Sequence, residues 1–188
     1  MSATPITSFK MKSFAAILVS IMSLFVTLPN AAQADNITPF LGAYTGSADF
    51  DENGTSVHRD MSAKIAETDD GFSISWTSAT YKPDGRIKEK SYTIEFVPSA
   101  RDGIYSSAMQ TNVFGKQIPL NPLKGEPFVW SRIVGDTLTV FSLFINEAGN
   151  YEMQEYHRTL TEGGLDLEFR RFQNGEKVRA VETFLKRE

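Results

Sequence analysis

Residues 61–76 read MSAKIAETDDGFSISW, which is the pattern of two β-strands joined by a tight turn. On each side of the turn, apolar side chains alternate with polar ones, as they do in a strand that buries one face. Between the strands, Asp69-Asp70-Gly71 supplies residue types that tolerate the positive φ of a hairpin turn. We therefore predict an antiparallel hairpin whose buried face carries Met61, Ala63, Ile65, Phe72, Ile74 and Trp76.

The same pattern continues through the rest of the chain in about ten segments of strand length. Later alternating segments contain Tyr92, Ile94 and Phe96, and then Leu165, Leu167 and Phe169. The turn signals between segments are Pro83-Asp84-Gly85, Arg101-Asp102-Gly103, Gly135-Asp136, Ala148-Gly149-Asn150, Glu162-Gly163-Gly164 and Asn174-Gly175. A long open meander would leave two exposed edges, and turns this tight favour closure over a sandwich. The predicted fold is all-β, an antiparallel up-and-down β-barrel of about ten strands.

Two segments depart from simple alternation. Residues 138–145 are apolar on both faces, so we expect this strand to be covered on both sides. The segment from Phe114 to Phe128 carries three prolines and is too long for a hairpin turn, so it is interpreted as a flap over one barrel mouth. A short helix fits only near residues 35–41 or 112–126.

Residues 1–34 have the three parts of a secretory signal peptide. Lys10 and Lys12 precede an apolar run, and Ala32-Gln33-Ala34 places small residues where a signal peptidase cleaves. We predict cleavage near Ala34, which leaves residues 35–188 as a single lipocalin-like barrel domain. The alternative is an uncleaved membrane anchor, but hydroxyl residues dilute the apolar run and Pro29 ends it.

The net charge and the absence of cysteine limit the cellular compartments and the classes of partner that fit this protein. Cleavage would remove two lysines and no acidic residue, so the net charge would change from −4 to −6. Such an acidic protein lacks the basic footprint that binds nucleic acid. The absence of cysteine excludes disulfides and a lipid anchor at the cleavage site. We expect a protein of the bacterial periplasm, or a secreted one, without a stable membrane anchor after cleavage.

The segment Phe40-Leu41-Gly42-Ala43-Tyr44-Thr45-Gly46 resembles the opening of lipocalin-like (calycin) β-barrels, including the nitrobindin-like haem-binding barrels. In those barrels an aromatic residue flanked by glycines plugs the closed end. The resemblance implies that Tyr44 is this plug and that the barrel is closed. It leaves function open, because the calycin architecture hosts carriers, haem proteins, inhibitors and some enzymes.

Histidine is too scarce for most metal chemistry. The chain has only His58 and His157, so a multi-histidine zinc site is excluded, and we predict no metal site. The nitrobindin-like resemblance implies a haem whose axial ligand is His157, whereas a lone histidine in a strand is more often a surface or hydrogen-bonded residue. An acid–base pair of Glu155 and His157 would share one strand face, but no substrate is indicated, and we favour a binding protein over an enzyme.

Ten strands can enclose more space than eight, which favours a barrel that holds a small apolar or amphipathic ligand. The predicted ligand-binding residues are Trp76, Phe96, Trp130, Phe141, Arg158, Phe169 and Arg171. Inward-facing arginines would recognise a carboxylate or similar anionic head group. The alternative is that Arg132, Arg158, Arg170 and Arg171 form ordinary surface pairs with Glu155 and Glu168. A second functional class is an envelope protein-interaction or structural module with no internal ligand.

Overall fold

The structure is a computed structural model. It describes residues 36–188 except 53, 108–109, 112–116 and 119, and it describes only the backbone of residues 52, 110–111 and 117–118. All of these residues belong to the second of two units of the chain, Ala32–Glu188. The predicted signal peptide lies outside the described residues.

Strands account for most of the described chain. They are β1 (Gly42–Glu52), β2 (Thr55–Thr68), β3 (Gly71–Tyr81), β4 (Ile87–Pro98), β5 (Ile104–Ser107), β6 (Gln110–Thr111), β7 (Gln117–Ile118), β8 (Phe128–Val134), β9 (Thr137–Ile145), β10 (Tyr151–Thr161), β11 (Gly164–Gln173) and β12 (Glu176–Arg187). Two single-turn 3₁₀ helices, Thr38–Phe40 and Pro122–Lys124, fall inside the two windows where a short helix was expected.

Ten of these strands form one closed antiparallel barrel, which confirms the predicted fold. Around the ring the order is β1, β12, β11, β10, β9, β8, β5, β4, β3 and β2. Neighbours in sequence are neighbours in space except at the β5–β8 junction, where the separate two-stranded sheet of β6 and β7 intervenes along the chain, and at the β1–β12 seam. The closed ring is compatible with a calycin-like architecture.

One end of the barrel is filled by a continuous apolar core, which we call the closed end. Its largest fully buried side chains are Tyr44, Phe40, Phe72, Phe96, Ile65, Ile74, Ile133, Leu138, Leu165 and Leu185. Phe72 stacks on Phe96 at a ring-centroid distance of 5.2 Å and meets Tyr105 edge-on at 5.0 Å. This end supplies the hydrophobic burial that a barrel with an open lumen cannot obtain along its whole length.

Tyr44 occupies the position expected of the plug at the closed end. Its ring is fully buried, and its hydroxyl donates a 2.7 Å hydrogen bond to the carbonyl oxygen of Phe40. The Arg187 guanidinium lies 5.0 Å from the ring centroid. Gly46 is needed for close strand approach, because a Cβ there would collide with the carbonyl oxygen of Phe184 on β12.

The two irregular segments follow their predictions in part. On β9, Val140 and Phe144 face the lumen, while Phe141 on the outer face is half-buried against neighbouring side chains and not beneath a second layer. In the predicted flap, residues 120–128 are described. The 3₁₀ helix begins after Asn121, whose side chain accepts a hydrogen bond from the Leu123 amide, and its residues line the barrel mouth.

Candidate functional site

Above the closed end, the barrel encloses a cavity of about 1530 Å³ that opens at the opposite mouth. We call this space the lumen. Small-molecule sites in proteins commonly measure about 300–1,000 Å³, so the lumen has room for a small molecule with ordered water. The mouth is formed by the β1–β2, β3–β4, β9–β10 and β11–β12 ends together with the 3₁₀ helix Pro122–Lys124.

Aromatic side chains from opposite sides of the ring meet across the lumen, and we call them the aromatic cluster. Trp76 on β3 stacks on Tyr92 of β4 at 5.3 Å, and Tyr156 on β10 lies 4.9 Å from Phe169 of β11. Strands β3 and β10 are on opposite sides of the ring, and the 6.1 Å contact between Trp76 and Tyr156 joins the two pairs. Trp76 also pairs across the strands with Ala63, which in turn pairs with Tyr44, so the aromatic cluster begins just above the plug. Such a surface binds the flat or aliphatic part of a ligand.

Arg158 is the most deeply buried charge in the described chain. It points into the lumen from β10, between Leu138 on β9 and Leu167 on β11, and it is 3% exposed. Its Nη1 donates a long 3.5 Å hydrogen bond to the Tyr156 carbonyl oxygen, and its Nε has no partner. Burial lowers the pKa of Arg158 to about 10, which still leaves it cationic at neutral pH.

Nearer the mouth, basic side chains surround a single carboxylate and a phenyl ring. Arg171 donates from Nη2 to Glu152 at 2.6 Å and stands directly opposite Arg179 on β12. The guanidinium groups of Arg179 and Arg59 lie 4.2 Å and 4.5 Å from the ring centroid of Phe50. The Arg171 Nε and the Arg179 Nη2 are buried without hydrogen-bond partners.

The structure brings together four of the residues predicted to bind a ligand. Trp76, Arg158, Phe169 and Arg171 all line the lumen. Phe96 also points inward but is fully buried in the closed end beneath the lumen, where it packs on Phe72. It therefore forms the floor of the barrel and does not reach the cavity.

Trp130 and Phe141, which were expected to line the lumen, lie on the outer wall. They pair across β8 and β9 and stack at 5.0 Å with an interplanar angle of 12°. Side chains alternate along a strand, so Val129 and Val140 point inward at the adjacent positions. Aromatic character indicated the wrong face here because the inward positions beside this pair carry the smaller side chains of Val129, Val140 and Ser142.

His157 is also on the outer wall, on the face of β10 that carries Glu155. Its Nδ1 is 3.0 Å from the Thr139 hydroxyl, and its Nε2 is 3.1 Å from the Glu155 carboxylate. A haem in the lumen could not be ligated from this side, so the predicted axial-ligand role does not fit the geometry. The same contacts place the Glu155 and His157 pair outside the cavity. Arg132 and Arg170 likewise project from the outer faces of their strands.

Sequence reasoning missed Arg59, Arg179, Tyr92 and Tyr156 as lumen residues. Each follows from the alternation of its strand, since Arg59 shares a face with Met61 and Tyr92 shares one with Ile94. Tyr92 was already placed on the buried face with Ile94 and Phe96 but was not named as a ligand residue. For Arg59, Arg179 and Tyr156, the alternation of the strand is the signal that could have found them.

Within the described residues there is no group of three or more His, Cys, Asp or Glu side chains placed to hold a metal ion. The same part of the chain contains no helix long and apolar enough to cross a membrane. Comparison with known proteins finds no protein-family model that matches the chain and no match among curated proteins. A nitrobindin-like relationship therefore has no support beyond the short motif around Tyr44, and the site is interpreted from its own geometry.

Proposed function

We propose that this protein binds a small amphipathic ligand in the lumen. The observation that carries the proposal is the cavity of about 1530 Å³, which combines the aromatic cluster with polar groups above a solid apolar floor. A barrel with a purely structural role would gain stability from filling this space. The open lumen is therefore best explained as a binding site.

The two tryptophans of the chain allow a direct test, because one lies inside the barrel and the other outside. In Trp130→Phe, emission comes only from Trp76, and in Trp76→Phe it comes only from Trp130. Titration with the neutral apolar probe N-phenyl-1-naphthylamine should quench Trp76 and leave Trp130 unchanged. Quenching of Trp130 alone, or of neither residue, would contradict binding in the lumen.

Native mass spectrometry of protein purified from its own host provides the complementary measurement. A carrier should show a discrete mass excess that disappears on denaturation. Export is part of the proposal and is supported by the pattern of residues 1–34. N-terminal sequencing of the exported protein should begin near Asp35, and a start before residue 20 would contradict cleavage.

A second candidate function is interaction with another envelope protein through the outer wall. It is favoured by the exposed side of the Trp130 and Phe141 stack, which Phe128 extends at 5.5 Å from Trp130. Aromatic residues are enriched in protein interfaces. The single-tryptophan variants separate the two functions, because a protein partner would change the Trp130 emission and an internal ligand would change that of Trp76.

A further inference from the structure

The lumen carries a charge opposite to that of the whole protein. Of the described residues that line it, eight are lysine or arginine and two are glutamate, although the full chain has a net charge of −4. The basic residues are Arg59, Lys82, Lys88, Lys90, Lys124, Arg158, Arg171 and Arg179. Low-dielectric walls strengthen the field of such a cluster, so the lumen attracts anions.

Arg158 shows where the attraction is strongest. Only 3% of its surface is exposed, and its neighbours across the strands are Leu138 and Leu167. No described carboxylate pairs with it, and its Nε is unpartnered and buried. A buried cation without a counterion is unfavourable in an empty barrel, and an acidic group of a ligand would relieve this cost.

The aromatic cluster adjoins the same position. The Arg158 guanidinium lies 5.7 Å from the centroid of the Tyr156 ring, which is also the centre of the contacts to Trp76 and Phe169. An acidic group at Arg158 would therefore be bonded to a body that lies against these rings. The unpartnered nitrogens of Arg171 and Arg179 stand between this position and the mouth.

We propose that the ligand is an acidic amphiphile that enters with its carboxylate or phosphate group first and pairs it with Arg158 at the bottom of the lumen, while its apolar body lies against Trp76, Tyr156 and Phe169. This inference rests on the proposed function, since it names the chemical class of the molecule in the lumen. Arg171 and Arg179 guide the acidic group inward. The planar guanidinium of Arg158 binds it through charge-assisted hydrogen bonds.

The experiment compares ligands that share one chain length and differ in head group. Dodecanoate, dodecyl phosphate, dodecanol and dodecyltrimethylammonium are titrated into Trp130→Phe, and Trp76 emission is recorded. At least one of the two acids should bind tenfold or more tightly than dodecanol, and the cationic amphiphile should bind weakest. The stronger of the two acids identifies the head group. If dodecanol binds as tightly as both acids, the inference is overturned while lumen binding stands; if none binds, the proposed function fails as well.

Variants of Arg158 test whether this residue binds the acidic group of the ligand. Arg158→Met should reduce acid affinity about tenfold to hundredfold, which corresponds to the loss of charge-assisted hydrogen bonds, and should reduce dodecanol affinity by a much smaller factor. Arg158→Lys keeps the charge without the planar fork and should give a smaller loss. The matched control is Arg132→Met, which removes an exposed arginine from the outer face of β8. An unchanged preference for acids in both Arg158 variants would overturn the assignment.

The orientation of the bound ligand is measured separately, by bromine quenching of Trp76. Because Trp76 lies beside the deep end of the lumen, 2-bromododecanoate should quench it more strongly than 12-bromododecanoate, since bromine quenches only at short range. Stronger quenching by the 12-bromo compound would place the acidic group at the mouth, near Arg171 and Arg179, and would overturn the head-first arrangement.

Discussion

The closed end and the lumen are built from the same ten strands, yet they bury different kinds of side chain. At the closed end, apolar rings fill the space and the Tyr44 hydroxyl has a partner at 2.7 Å. The buried groups without a partner beside these rings are neutral hydroxyls, those of Ser107 opposite Phe96 and Ser131 opposite Tyr105. In the lumen, Arg158, Arg171 and Arg179 each retain a buried nitrogen without a partner. The difference indicates that the side chains that stabilise the fold are concentrated at the closed end. The lumen retains buried guanidinium groups that are unfavourable for stability but available to a ligand.

The largest effect should come from opening the closed end. Phe72→Ala removes a fully buried ring that packs on Phe96 and Tyr105, so we expect the free energy of unfolding to fall by about 3–5 kcal/mol. The matched change, Phe169→Ala, removes a ring that already faces the cavity and should cost less than half as much. Urea denaturation measures both, and equal losses would show that the two ends do not differ.

The next largest effect should be a gain in stability, not a loss. Arg158→Met replaces a buried, unpaired cation with an apolar side chain of similar length, so the ligand-free protein should gain about 1–4 kcal/mol of stability. Arg132→Met on the outer wall should change stability by less than about 0.5 kcal/mol. Thermal unfolding of the ligand-free proteins gives the comparison. A destabilised Arg158→Met would mean that Arg158 supports the fold.

A smaller loss is expected at the plug. Tyr44→Phe leaves the buried Phe40 carbonyl without its hydrogen bond and should cost about 1–2 kcal/mol. Tyr81→Phe removes a hydroxyl that donates to Asp60 at 2.8 Å on the exposed surface, where water replaces the lost partner, and should cost less than about 0.5 kcal/mol. Urea midpoints of the two variants should therefore differ, and coincident midpoints would contradict a special role for Tyr44.

The smallest expected effect is a pH dependence of the free energy of unfolding. It arises from Glu152, whose carboxylate accepts a hydrogen bond from Arg171. Burial raises the pKa of Glu152, but hydrogen bonds from Arg171 and Gln154 outweigh it and hold the pKa below its ordinary value. Because the folded-state pKa is the lower one, this carboxylate stabilises the fold above the unfolded-state pKa, and that contribution is lost as pH falls through the folded-state pKa.

The corresponding prediction is that wild type loses more stability than Glu152→Gln between pH 7 and pH 3, by less than about 1 kcal/mol. Urea midpoints across this range measure the difference. Glu147→Gln, at an exposed position of the mouth, is the control and should follow wild type. Parallel profiles for wild type and Glu152→Gln would show that the pair with Arg171 does not stabilise the fold.

The architecture could be predicted because its determinants are local. The hairpin of β2 and β3 places Met61, Ala63 and Ile65 opposite Ser78, Trp76 and Ile74, as alternation and the Asp69-Asp70-Gly71 turn require. Ten strands joined by tight turns then leave closure as the favoured way to protect the edges. The short β5 follows the Arg101-Asp102-Gly103 turn signal, whereas the small sheet of β6 and β7 lacks both signals and was not predicted.

The candidate site was harder to predict because hydrophobicity indicates the buried face only when the interior is apolar. On β10 the inward side chains are Glu152, Gln154, Tyr156 and Arg158, whereas the outer face carries Met153 and His157. The rule that the more apolar face points inward therefore fails on β10, and His157 lies on the outer wall instead of in the lumen. Arg158 and Arg171 were nevertheless recognised, because each guanidinium offers a distinct chemistry for binding acids.

The seam between β1 and β12 joins residues that are very distant along the chain. The Thr183 hydroxyl donates to the Ser47 carbonyl oxygen across 136 positions, and the Arg187 guanidinium donates to the Leu41 carbonyl oxygen across 146. Contacts of such span form slowly, because a long loop must close before they contribute. Until β12 docks, the ring is an open sheet with two unpaired edges and no enclosed lumen. Closure of the ring therefore depends on residues 183–187 at the far end of the chain, and the cavity is enclosed only when β12 is paired with β1.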